Sequence, residues 1–508
     1  MNNFLKITYS ICLIFFQISC VKKEIEVVSP ASTKNELIEL TFSDTSIDYK
    51  AIINDLKIDL IVNLPIKLTK IKIKSIKISE KASSNIVLND EINLDNNSVE
   101  FIITAENGDK KIYSFLPKFA TEPFKVIKYD SKEISKQNIT PTFIHYMPWF
   151  ESPEFAEFGN SKFGKWGQHW TMNTQNPEIK DGNGKRQIAS HYYPLIGPYD
   201  NGEPNYCEYA SILIKLSGID GVIIDYPGIT TVYDWKLLHE HTLALIPWLQ
   251  KAGLKYSICY EDAALKNAFE KAIITDKIEE GKRVMKYMDD TFFNNPEYFK
   301  LNNKPVLLNF GPQAIKSDQD WQDIFSVTSK GVIFFPLAYH GDYFNLSKSA
   351  EGAFAWVDET IDNKFYNYSS KLKFTGGGAM FEFRDFYKIG GWGDGYTTYP
   401  NKNGDLLIAS LKRAKDAKID FLQLITWNDW GEGTAMEPSN EYNYLQLSTI
   451  QKYLGVTQNE NDLALAVKLY QNRKKYKGKE IENKILDQAY YYLISLQTDK
   501  ARELLNSL

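Results

Sequence analysis

Cysteine and histidine are scarce in this chain of 508 residues, which has four cysteines and six histidines. Cys12 and Cys20 lie in an apolar N-terminal segment, so only Cys207 and Cys259 remain for the body of the protein. These two could pair, but two cysteines in a protein of this size are more often free and buried. No cysteine or histidine spacing typical of a zinc site occurs. We therefore predict no metal centre and no cofactor.

An excess of positive charge is also absent, since the formal net charge is −5. A chain without a basic field has little to attract nucleic acid or anionic lipid. The glycine-rich stretch "FTGGGAMFEF" lacks the Lys-Ser/Thr pair of a phosphate-binding loop and the fingerprint of a dinucleotide site. These absences count against nucleic-acid binding and against nucleotide-dependent chemistry.

The apolar N-terminal run "ITYSICLIFFQIS" is too short to span a membrane comfortably. It follows the weakly basic "MNNFLK" and ends with Ser19 before Cys20. Residues 1–20 thus resemble a bacterial lipoprotein signal, in which Cys20 becomes the lipidated first residue, although Gln17 departs from the usual leucine. The following "CVKKEIE" resembles the surface-export tract of Bacteroidetes lipoproteins. We expect an outer-membrane lipoprotein of the cell envelope, exposed at the surface; the alternative is an ordinary signal peptide with an incidental cysteine.

Tryptophan is absent from residues 1–148. Residues 21–35 are polar and predict a tether. Within residues 36–125, "KLTKIKIKSIKIS" alternates apolar and polar residues as a half-buried strand does, and "SVEFIITAENGDKKIYSFLP" predicts a hairpin that turns at Asn107-Gly108. We predict an immunoglobulin-like β-sandwich that acts as a spacer. Carbohydrate binding is the alternative, but few aromatic residues are available for it.

All ten tryptophans lie between Trp149 and Trp430, where apolar runs alternate with helix-length amphipathic segments such as 233–252, 262–290 and 403–418. The eight apolar runs are "TFIHYMPWF", "GIDGVIIDYPG", "LKYSICYED", "KPVLLNFG", "GVIFFPLAYH", "GAFAWVD", "GGGAMFEF" and "IDFLQLITWNDW". Continuous apolar runs separated by helices are typical of parallel strands buried on both faces. The pattern predicts the α/β class and a (β/α)8 barrel over residues 139–455.

Active sites of such barrels lie at the carboxyl ends of the strands. The runs end in Tyr146, Asp225, Glu261, Asn309, His340, Asp358, Glu382 and Asn428. "FLQLIT" would be the eighth strand and "WNDWGEGT" its functional loop. Beyond the barrel, residues 459–508 space apolar residues at three and four, which predicts a helical hairpin packed on the barrel rather than a partner-binding module.

Two acids of the last loop, Asp429 and Glu432, are three residues apart. If the loop takes one helical turn, both carboxyls face one cleft, as glycoside cleavage requires. Two acids so close cannot both stay ionised cheaply, so one is expected to hold a proton. Trp427 and Trp430 would supply a dry environment and a stacking face for a sugar. The simpler alternative is that Asp429 caps a short helix and Glu432 is solvated.

The stretch "WNDWGEGTAMEP" resembles the end of the barrel in glycoside hydrolase families 99 and 71. "FIHYMPWF", "SHYYPLIGPYDNGEP" and "SGIDGVIIDYPG" resemble earlier motifs of that group, in the same order. The resemblance to family 99, endo-acting α-mannosidases and α-mannanases, implies that Glu432 is the general acid and later base. It implies that Asp429, where the family has Glu, assists the sugar's own 2-hydroxyl, with net retention. Family 71, α-1,3-glucanases, has Asn-Asp-Tyr-Gly-Glu there, which Asn428, Asp429, Gly431 and Glu432 fit.

Further candidates for substrate binding are Trp427, Asn428, Trp430, Tyr146, Trp149, His191, Tyr192, Asp225, Glu382 and Glu437. For each of them a purely structural role is the alternative.

We therefore expect a monomeric surface lipoprotein that cleaves internal α-glycosidic bonds of a polysaccharide without a cofactor. Its partners would be α-mannan, or α-glucan as the second choice, and the membrane through the lipid anchor, with no nucleic acid. The alternatives are an α-1,3-glucanase-like hydrolase and a non-catalytic glycan-binding lipoprotein.

Overall fold

The structure is a computed structural model that describes residues 30–43, 48–62, 70–94, 98–119, 125–156, 161–338, 346, 348–361, 363–369 and 371–508. The predicted signal peptide, Cys20 and most of the predicted tether lie outside the described residues. The chain divides into two compact units, one up to residue 121 and the other from residue 122.

The first unit consists of short strands around one core. In chain order they are β1 Leu37–Ser43, β2 Asp48–Lys50, β3 Ile52–Asn54, β4 Lys57–Val62, β5 Lys70–Ile78, β6 Ser83–Ser84, β7 Glu91–Asn93, β8 Val99–Thr104 and β9 Lys110–Phe119. They form two sheets, ordered β2-β1-β5-β7 and β3-β4-β9-β8-β6. Phe42 of the first sheet stacks on Phe115 of the second, with ring centroids 4.8 Å apart. Buried side chains of both sheets share one apolar cluster.

Two local predictions in this unit are confirmed. Strand β5 buries Ile71 and Ile73 and exposes the lysines between them, as alternation predicts. Strands β8 and β9 pair antiparallel across a turn in which Gly108 has φ +93°, a left-handed conformation that glycine adopts without steric cost. The immunoglobulin-like β-sandwich and its spacer role stay predictions.

The second unit alternates strands and helices. In chain order these are β10 Thr142–Tyr146, α1 Gly167–Thr171, α2 Pro204–Leu216, β11 Gly221–Tyr226, α3 Trp235–Ala252, β12 Lys255–Tyr260, α4 Ala263–Glu270, α5 Lys277–Met288, β13 Lys300–Leu301, β14 Lys304–Asn309, α6 Asp318–Phe325, β15 Ile333–Pro336, β16 Gly352–Phe354, α7 Lys364–Ser369, β17 Phe374–Met380, α8 Tyr387–Gly390, α9 Asp405–Asp416, β18 Phe421–Ile425, α10 Leu445–Leu454, α11 Glu460–Lys475, α12 Glu480–Ile494 and α13 Thr498–Asn506. A π-helical turn, Asp289–Phe293, extends α5, and 3-10 turns occupy Asp358–Thr360 and Lys402–Gly404.

Eight strands of this unit form a curled parallel sheet, and each of the eight predicted apolar runs contains one of them. Their order is β15-β14-β12-β11-β10-β18-β17-β16, so the last strand in the chain pairs with the first. Two isolated parallel bridges, Phe334 to Ala350 and Leu337 to Phe354, join the segments at the two ends of this order. The mixed α/β class and the parallel strand order are thus confirmed.

The strands are apolar because both of their faces are covered. All six residues of β11 and all five of β10 and β18 are buried. Side chains from opposite parts of the sheet, Phe143, Leu308, Phe335 and Phe421 among them, belong to one core cluster. A sheet packed in this way brings the carboxyl ends of its strands to a common edge.

Two helix boundaries of this unit are set by recognisable capping residues. Helix α3 ends at Gly253, which has φ +70°. The predicted helical segment 262–290 is instead two helices, because Asp276 accepts the backbone N–H groups of Ile278 and Glu279 and starts a new helix there.

The C-terminal helices α11 and α12 pack against α2, and α13 packs against α11 and α12. Arg473 of α11 lies 2.8 Å from Glu208 of α2, and both side chains are nearly buried. Cys207, also on α2, and Cys259 are buried free thiols. Among the described residues no helix is both long enough and apolar enough to cross a membrane.

Candidate active site

The loop after β18 is hydrogen-bonded to the end of β10 and to the residue that follows it. The backbone N–H of Trp427 donates to the carbonyl of His145 at 2.6 Å. The Asn428 amide donates to the Met147 carbonyl at 2.9 Å and accepts the Met147 N–H at 2.8 Å. Asn428 is fully buried, so these bonds satisfy polar groups that water does not reach. The loop is therefore held in one position relative to the first strand of the sheet.

A tight turn brings Asp429 and Glu432 together. The Asp429 carboxylate accepts the backbone N–H of Glu432 at 2.8 Å, and the N–H of Asp429 donates to the Thr426 hydroxyl at 2.8 Å. Asp429 is 3% exposed and Glu432 is partly exposed. Both side chains border the same cavity. The expectation that one turn would direct both acids to one cleft fits this geometry, and Asp429 also caps the turn.

Burial raises the pKa of both acids. The pKa of Glu432 is about 7, although a hydrogen bond from the Tyr387 hydroxyl, 2.9 Å away, opposes the rise. The pKa of Asp429 is raised by burial and by the neighbouring Glu432, and is opposed by the N–H groups of Gly431 and Glu432. Two adjacent carboxyls in such surroundings titrate as a pair. Both members of the pair therefore have a raised affinity for protons.

The cavity has a volume of about 230 Å³ and is lined by acids, aromatic rings and two histidines. Its lining residues are His145, Met147, Trp149, Phe150, His169, Met172, Asp225, Glu261, Phe310, Trp356, Tyr387, Trp392, Asp429, Gly431 and Glu432. No lysine or arginine occurs in this described lining. The described part of the chain holds no group of three or more His, Cys, Asp or Glu placed to bind a metal ion.

A second pair of carboxyls, Asp225 and Glu261, borders the cavity. Asp225 is near the end of β11 and Glu261 follows β12, the adjacent parallel strand. The two side chains share a hydrogen bond. Burial and the nearby charges of Glu261 and Asp429 raise the pKa of Asp225, and burial brings the pKa of Glu261 to about 7. The cavity therefore contains four carboxyls with a raised affinity for protons.

Aromatic rings form the walls of the cavity. Trp149 stacks on the His169 ring with centroids 4.3 Å apart and planes 7° apart, and His169 Nε2 lies 3.2 Å from Asp234. Trp392 approaches the same histidine edge-on at 5.7 Å and is nearly parallel to Tyr387, at 6.2 Å and 23°. Flat apolar faces beside carboxyls suit a ring-shaped polar ligand such as a sugar.

His145 borders the inner part of the cavity. Its Nδ1 lies 3.1 Å from the Gln423 side-chain oxygen, its ring meets Trp356 edge-on at 4.8 Å, and its Nε2 has no hydrogen-bond partner among the described residues. Burial lowers the pKa of His145 to about 4, so the ring is neutral at physiological pH. A neutral imidazole offers one hydrogen-bond acceptor or donor to a ligand.

Several predicted site residues lie beneath the loop rather than in the cavity lining. Trp427 and Trp430 are 0% and 1% exposed, and their indole N–H groups donate to the hydroxyls of Tyr206 and Tyr199 at 3.1 and 3.0 Å. Neither ring has a face free for a sugar, so their predicted stacking role does not fit the structure. The remaining members of this set are Asn428, already described, Tyr146, whose hydroxyl accepts from Asn201 at 2.8 Å, and Glu437.

Glu437 is fully buried among tyrosines. It accepts hydrogen bonds from the hydroxyls of Tyr199 and Tyr206 at 2.6 and 3.2 Å, and burial raises its pKa to about 8. Tyr199 thus links Glu437 to Trp430, whose indole donates to the same hydroxyl. This network supports the loop from below.

Three other predicted residues lie outside the cavity lining. His191 and Tyr192 border a separate depression of about 530 Å³. The His191 Nε2 lies 3.1 Å from the Asp385 carbonyl. Glu382 is 5% exposed and accepts from Asn401 and Tyr442 at 2.9 and 3.0 Å. Of the predicted barrel residues, the cavity brings together Asp429, Glu432, Trp149 and Asp225.

The prediction missed Glu261, His145, His169, Tyr387 and Trp392 as cavity residues. Glu261 was recognisable, because it follows the third apolar run just as Asp225 ends the second. Tyr387 and Trp392 lie in the irregular "DFYKIGGWGDGYTTYP" after the seventh run, where no spacing distinguishes a cavity residue from a surface one.

Comparison with known proteins gives a limited result. No family model matches the chain, and no curated protein matches it. Among solved structures it is similar to the GH99 endo-α-mannosidase from Bacteroides thetaiotaomicron, with 16% identity and a TM-score of 0.46 over 66% of this chain and 99% of that one. A glycoside hydrolase-like protein has 13% identity and a TM-score of 0.44 over 66% and 97% of the two chains. A GH113 β-1,4-mannanase has 11% identity and a TM-score of 0.34 over 53% of this chain and 98% of that one. The function has to be argued from the chain's own site.

Proposed function

We propose that this chain is a glycoside hydrolase with a (β/α)8 barrel and that it cleaves α-glycosidic bonds in the cavity at the end of β18. The observation that carries the proposal is the pair Asp429 and Glu432, two carboxyls on one turn that border one cavity and have raised pKa values. Glycoside cleavage needs one protonated and one ionised carboxyl beside the same bond.

Glu432 is the proposed general acid. Its pKa of about 7 allows it to hold a proton at neutral pH and to release it during the reaction. The bond between the anomeric carbon and the glycosidic oxygen breaks, its electron pair stays on the oxygen, and the proton of Glu432 completes the leaving hydroxyl. A water molecule later returns its proton to Glu432 and its hydroxyl to the sugar.

Asp429 is the proposed partner that carries the negative charge. Two backbone N–H groups, of Gly431 and Glu432, point at its carboxyl and favour its ionised form. As the resemblance to family 99 implies, an ionised Asp429 can withdraw the proton of the sugar's 2-hydroxyl while the 2-oxygen attacks the anomeric carbon and displaces the leaving group that Glu432 protonates. When water then attacks the anomeric carbon, its bond to the 2-oxygen breaks and Asp429 returns the proton to that oxygen. Two successive inversions at that carbon give net retention.

The finer assignment rests on the sequence resemblance. We propose an endo-acting enzyme with α-mannan as the first candidate substrate and α-1,3-glucan as the second, because "NDWGEG" fits family 71 at Asp429 while "GTAMEP" fits family 99. We also propose that Cys20 anchors the protein to the outer membrane, where a polysaccharide is accessible.

A second candidate function is glycan binding without turnover. One observation favours it: the Asp429 carboxylate caps its own turn at 2.8 Å, a role that needs no chemistry. A cavity lined by Trp149 and Trp392 would still hold a sugar. The two functions differ in whether the Glu432 proton is used.

The test is hydrolysis of a panel of α-mannans and α-glucans by wild type and Glu432→Gln, with products read by mass spectrometry. Glu432→Gln keeps the shape of the side chain and removes its proton, so we expect turnover to fall by about 10²–10⁴-fold while oligosaccharide binding persists. Glu441→Gln, a matched change outside the cavity, should keep wild-type rates. Unchanged turnover by Glu432→Gln would contradict the proposal, and binding without any wild-type turnover would favour the second function.

A further inference from the structure

The loop that follows β17 presents an exposed tryptophan beside Glu432. Trp392 lies between Gly391 and Gly393, whose φ values are +74° and +126°. These left-handed conformations let the chain turn sharply on both sides of the ring. The side chain is 40% exposed and borders the cavity. A large ring left half open to water at the mouth of a cavity is a candidate binding surface.

The position of Trp392 is set in part by Tyr387, the residue that hydrogen-bonds to the proposed acid Glu432. The Tyr387 hydroxyl bonds to the Glu432 carboxyl, and the Tyr387 ring lies nearly parallel to Trp392. The edge of His169 contacts Trp392 from another side. The indole is therefore fixed on the Glu432 side of the cavity, where its remaining exposure offers a ring surface to a ligand.

We propose that Trp392 is the stacking platform for the leaving-group sugar, which is the sugar unit joined to the oxygen that Glu432 protonates. This inference rests on the proposed function. A general acid must reach the glycosidic oxygen within about 2.6–3.2 Å. The leaving sugar is bonded to that oxygen, so it lies on the acid's side of the scissile bond. Trp392 is an exposed aromatic ring that borders the cavity on that side.

The chemistry of the ligand follows from this position. Sugars present C–H groups on their faces, and an indole holds such a face by dispersion and by its negative ring surface. The ligand is therefore a second pyranose ring, and the enzyme should distinguish a glycan from a glycoside with a small leaving group. Tyr396, 70% exposed and 6.0 Å from the Tyr387 ring, extends the aromatic surface outward.

The test compares two substrates that share the same glycone, which is the sugar whose anomeric carbon is attacked. One is an α-linked oligosaccharide, and the other is the α-glycosyl fluoride of the same glycone, which has no leaving sugar and needs no proton from Glu432. Trp392→Ala should lower kcat/KM on the oligosaccharide by roughly three- to tenfold, mainly through KM, because a stacking contact is lost. Trp392→Ala should leave kcat/KM on the fluoride within about twofold of wild type, because the variant keeps all contacts with the glycone sugar.

Two further variants guard the interpretation. Ile389→Ala changes a 57% exposed residue of the same segment that does not border the cavity, and it should behave as wild type on both substrates. Trp392→Phe keeps an aromatic face and should recover most of the loss. Circular dichroism of each variant would show whether the fold is retained.

Each result decides the question. A loss on the oligosaccharide alone, with recovery in Trp392→Phe, supports the platform. An equal loss on both substrates, or no loss on either, overturns it while the proposed function stands. Absence of wild-type turnover on both substrates would refute the proposed function itself, and the platform with it.

Discussion

Removing the Tyr387 hydroxyl should shift the pH range in which the proposed hydrolase works. That hydroxyl donates to the Glu432 carboxyl at 2.9 Å, and a donor stabilises the ionised carboxylate more than the protonated acid. The bond therefore holds the pKa of Glu432 below the value that burial alone would give, and the pKa is about 7 with the bond present. In Tyr387→Phe the pKa of Glu432 should rise.

The size of the shift follows from the strength of the bond. A hydrogen bond to a charged group contributes about 1.5–3 kcal/mol, which corresponds to about one to two pH units. Glu432 is partly exposed, so water replaces some of the lost bond and about one unit is the expected rise. A general acid acts while protonated, and activity falls as pH rises through its pKa. The alkaline limb of kcat/KM should therefore move up by about one unit in Tyr387→Phe.

The assay is the pH profile of kcat/KM between about pH 4 and 10 for wild type, Tyr387→Phe and Tyr396→Phe. Tyr396→Phe removes a hydroxyl from the same loop that does not bond to Glu432, and its profile should match wild type. An unmoved or lowered alkaline limb in Tyr387→Phe would show that Glu432 is not the titrating acid or that Tyr387 does not act on it.

Four other outcomes are expected. Asp429→Asn should nearly abolish turnover. Asp429→Glu should impair turnover if the site is built around Asp, because about 1 Å of misplacement can cost about 10²-fold, but should raise turnover if the chain is a decayed relative. Initial rates on α-mannan and α-1,3-glucan decide between these two cases. A carboxylated or sulfated sugar in the cavity should be hydrolysed at least about tenfold more slowly than its neutral parent. Unit charges of the same sign 4 Å apart at a protein surface repel by about 4 kcal/mol, and the described lining contains no lysine or arginine to compensate. The kcat/KM values of matched charged and neutral substrates test this. Cys20→Ala should move the protein from the membrane to the soluble fraction, and unchanged fractionation would contradict the lipoprotein assignment. Arg473→Met should lower the free energy of unfolding by about 3–5 kcal/mol, because it leaves Glu208 buried without its cation, whereas Lys412→Met at an exposed pair should cost less than about 1 kcal/mol; urea titration measures both.

The parallel strands of the second unit were predictable because their signal is local. A strand covered on both faces must be apolar at every position, so runs such as "GVIIDY" identify themselves, and their carboxyl ends must share one edge of the sheet. This reasoning led from sequence to Asp225, Asp429 and Glu432, all of which border the cavity. The same rule reaches Glu261, which follows the third run.

Contacts between loops distant in the sequence were not predictable. Trp392 borders the cavity because the loop after β17 turns back at Gly391 and Gly393, and neither turn leaves a periodic signal. The break between α4 and α5 was likewise not predicted. An aspartate such as Asp276 caps a helix only if its own backbone is extended rather than helical, and the spacing of apolar residues does not show this. In each case a single residue and its local backbone decide the outcome, while periodicity averages over many residues.

The tryptophans of "WNDWGEG" illustrate why a motif's residues divide between support and chemistry. An indole N–H needs an acceptor when it is buried, and the tyrosine hydroxyls beneath the loop provide one for both Trp427 and Trp430. Those hydroxyls in turn donate to one carboxylate oxygen of Glu437, so the rings are held inward by hydrogen bonds and not by packing alone. The inward rings fix the turn whose carboxyls face the cavity, and the rings that can meet a sugar come from other loops. Burying carboxyls with raised pKa values costs stability, so a support of this kind is what allows Asp429 and Glu432 to remain one turn apart in a poorly hydrated site.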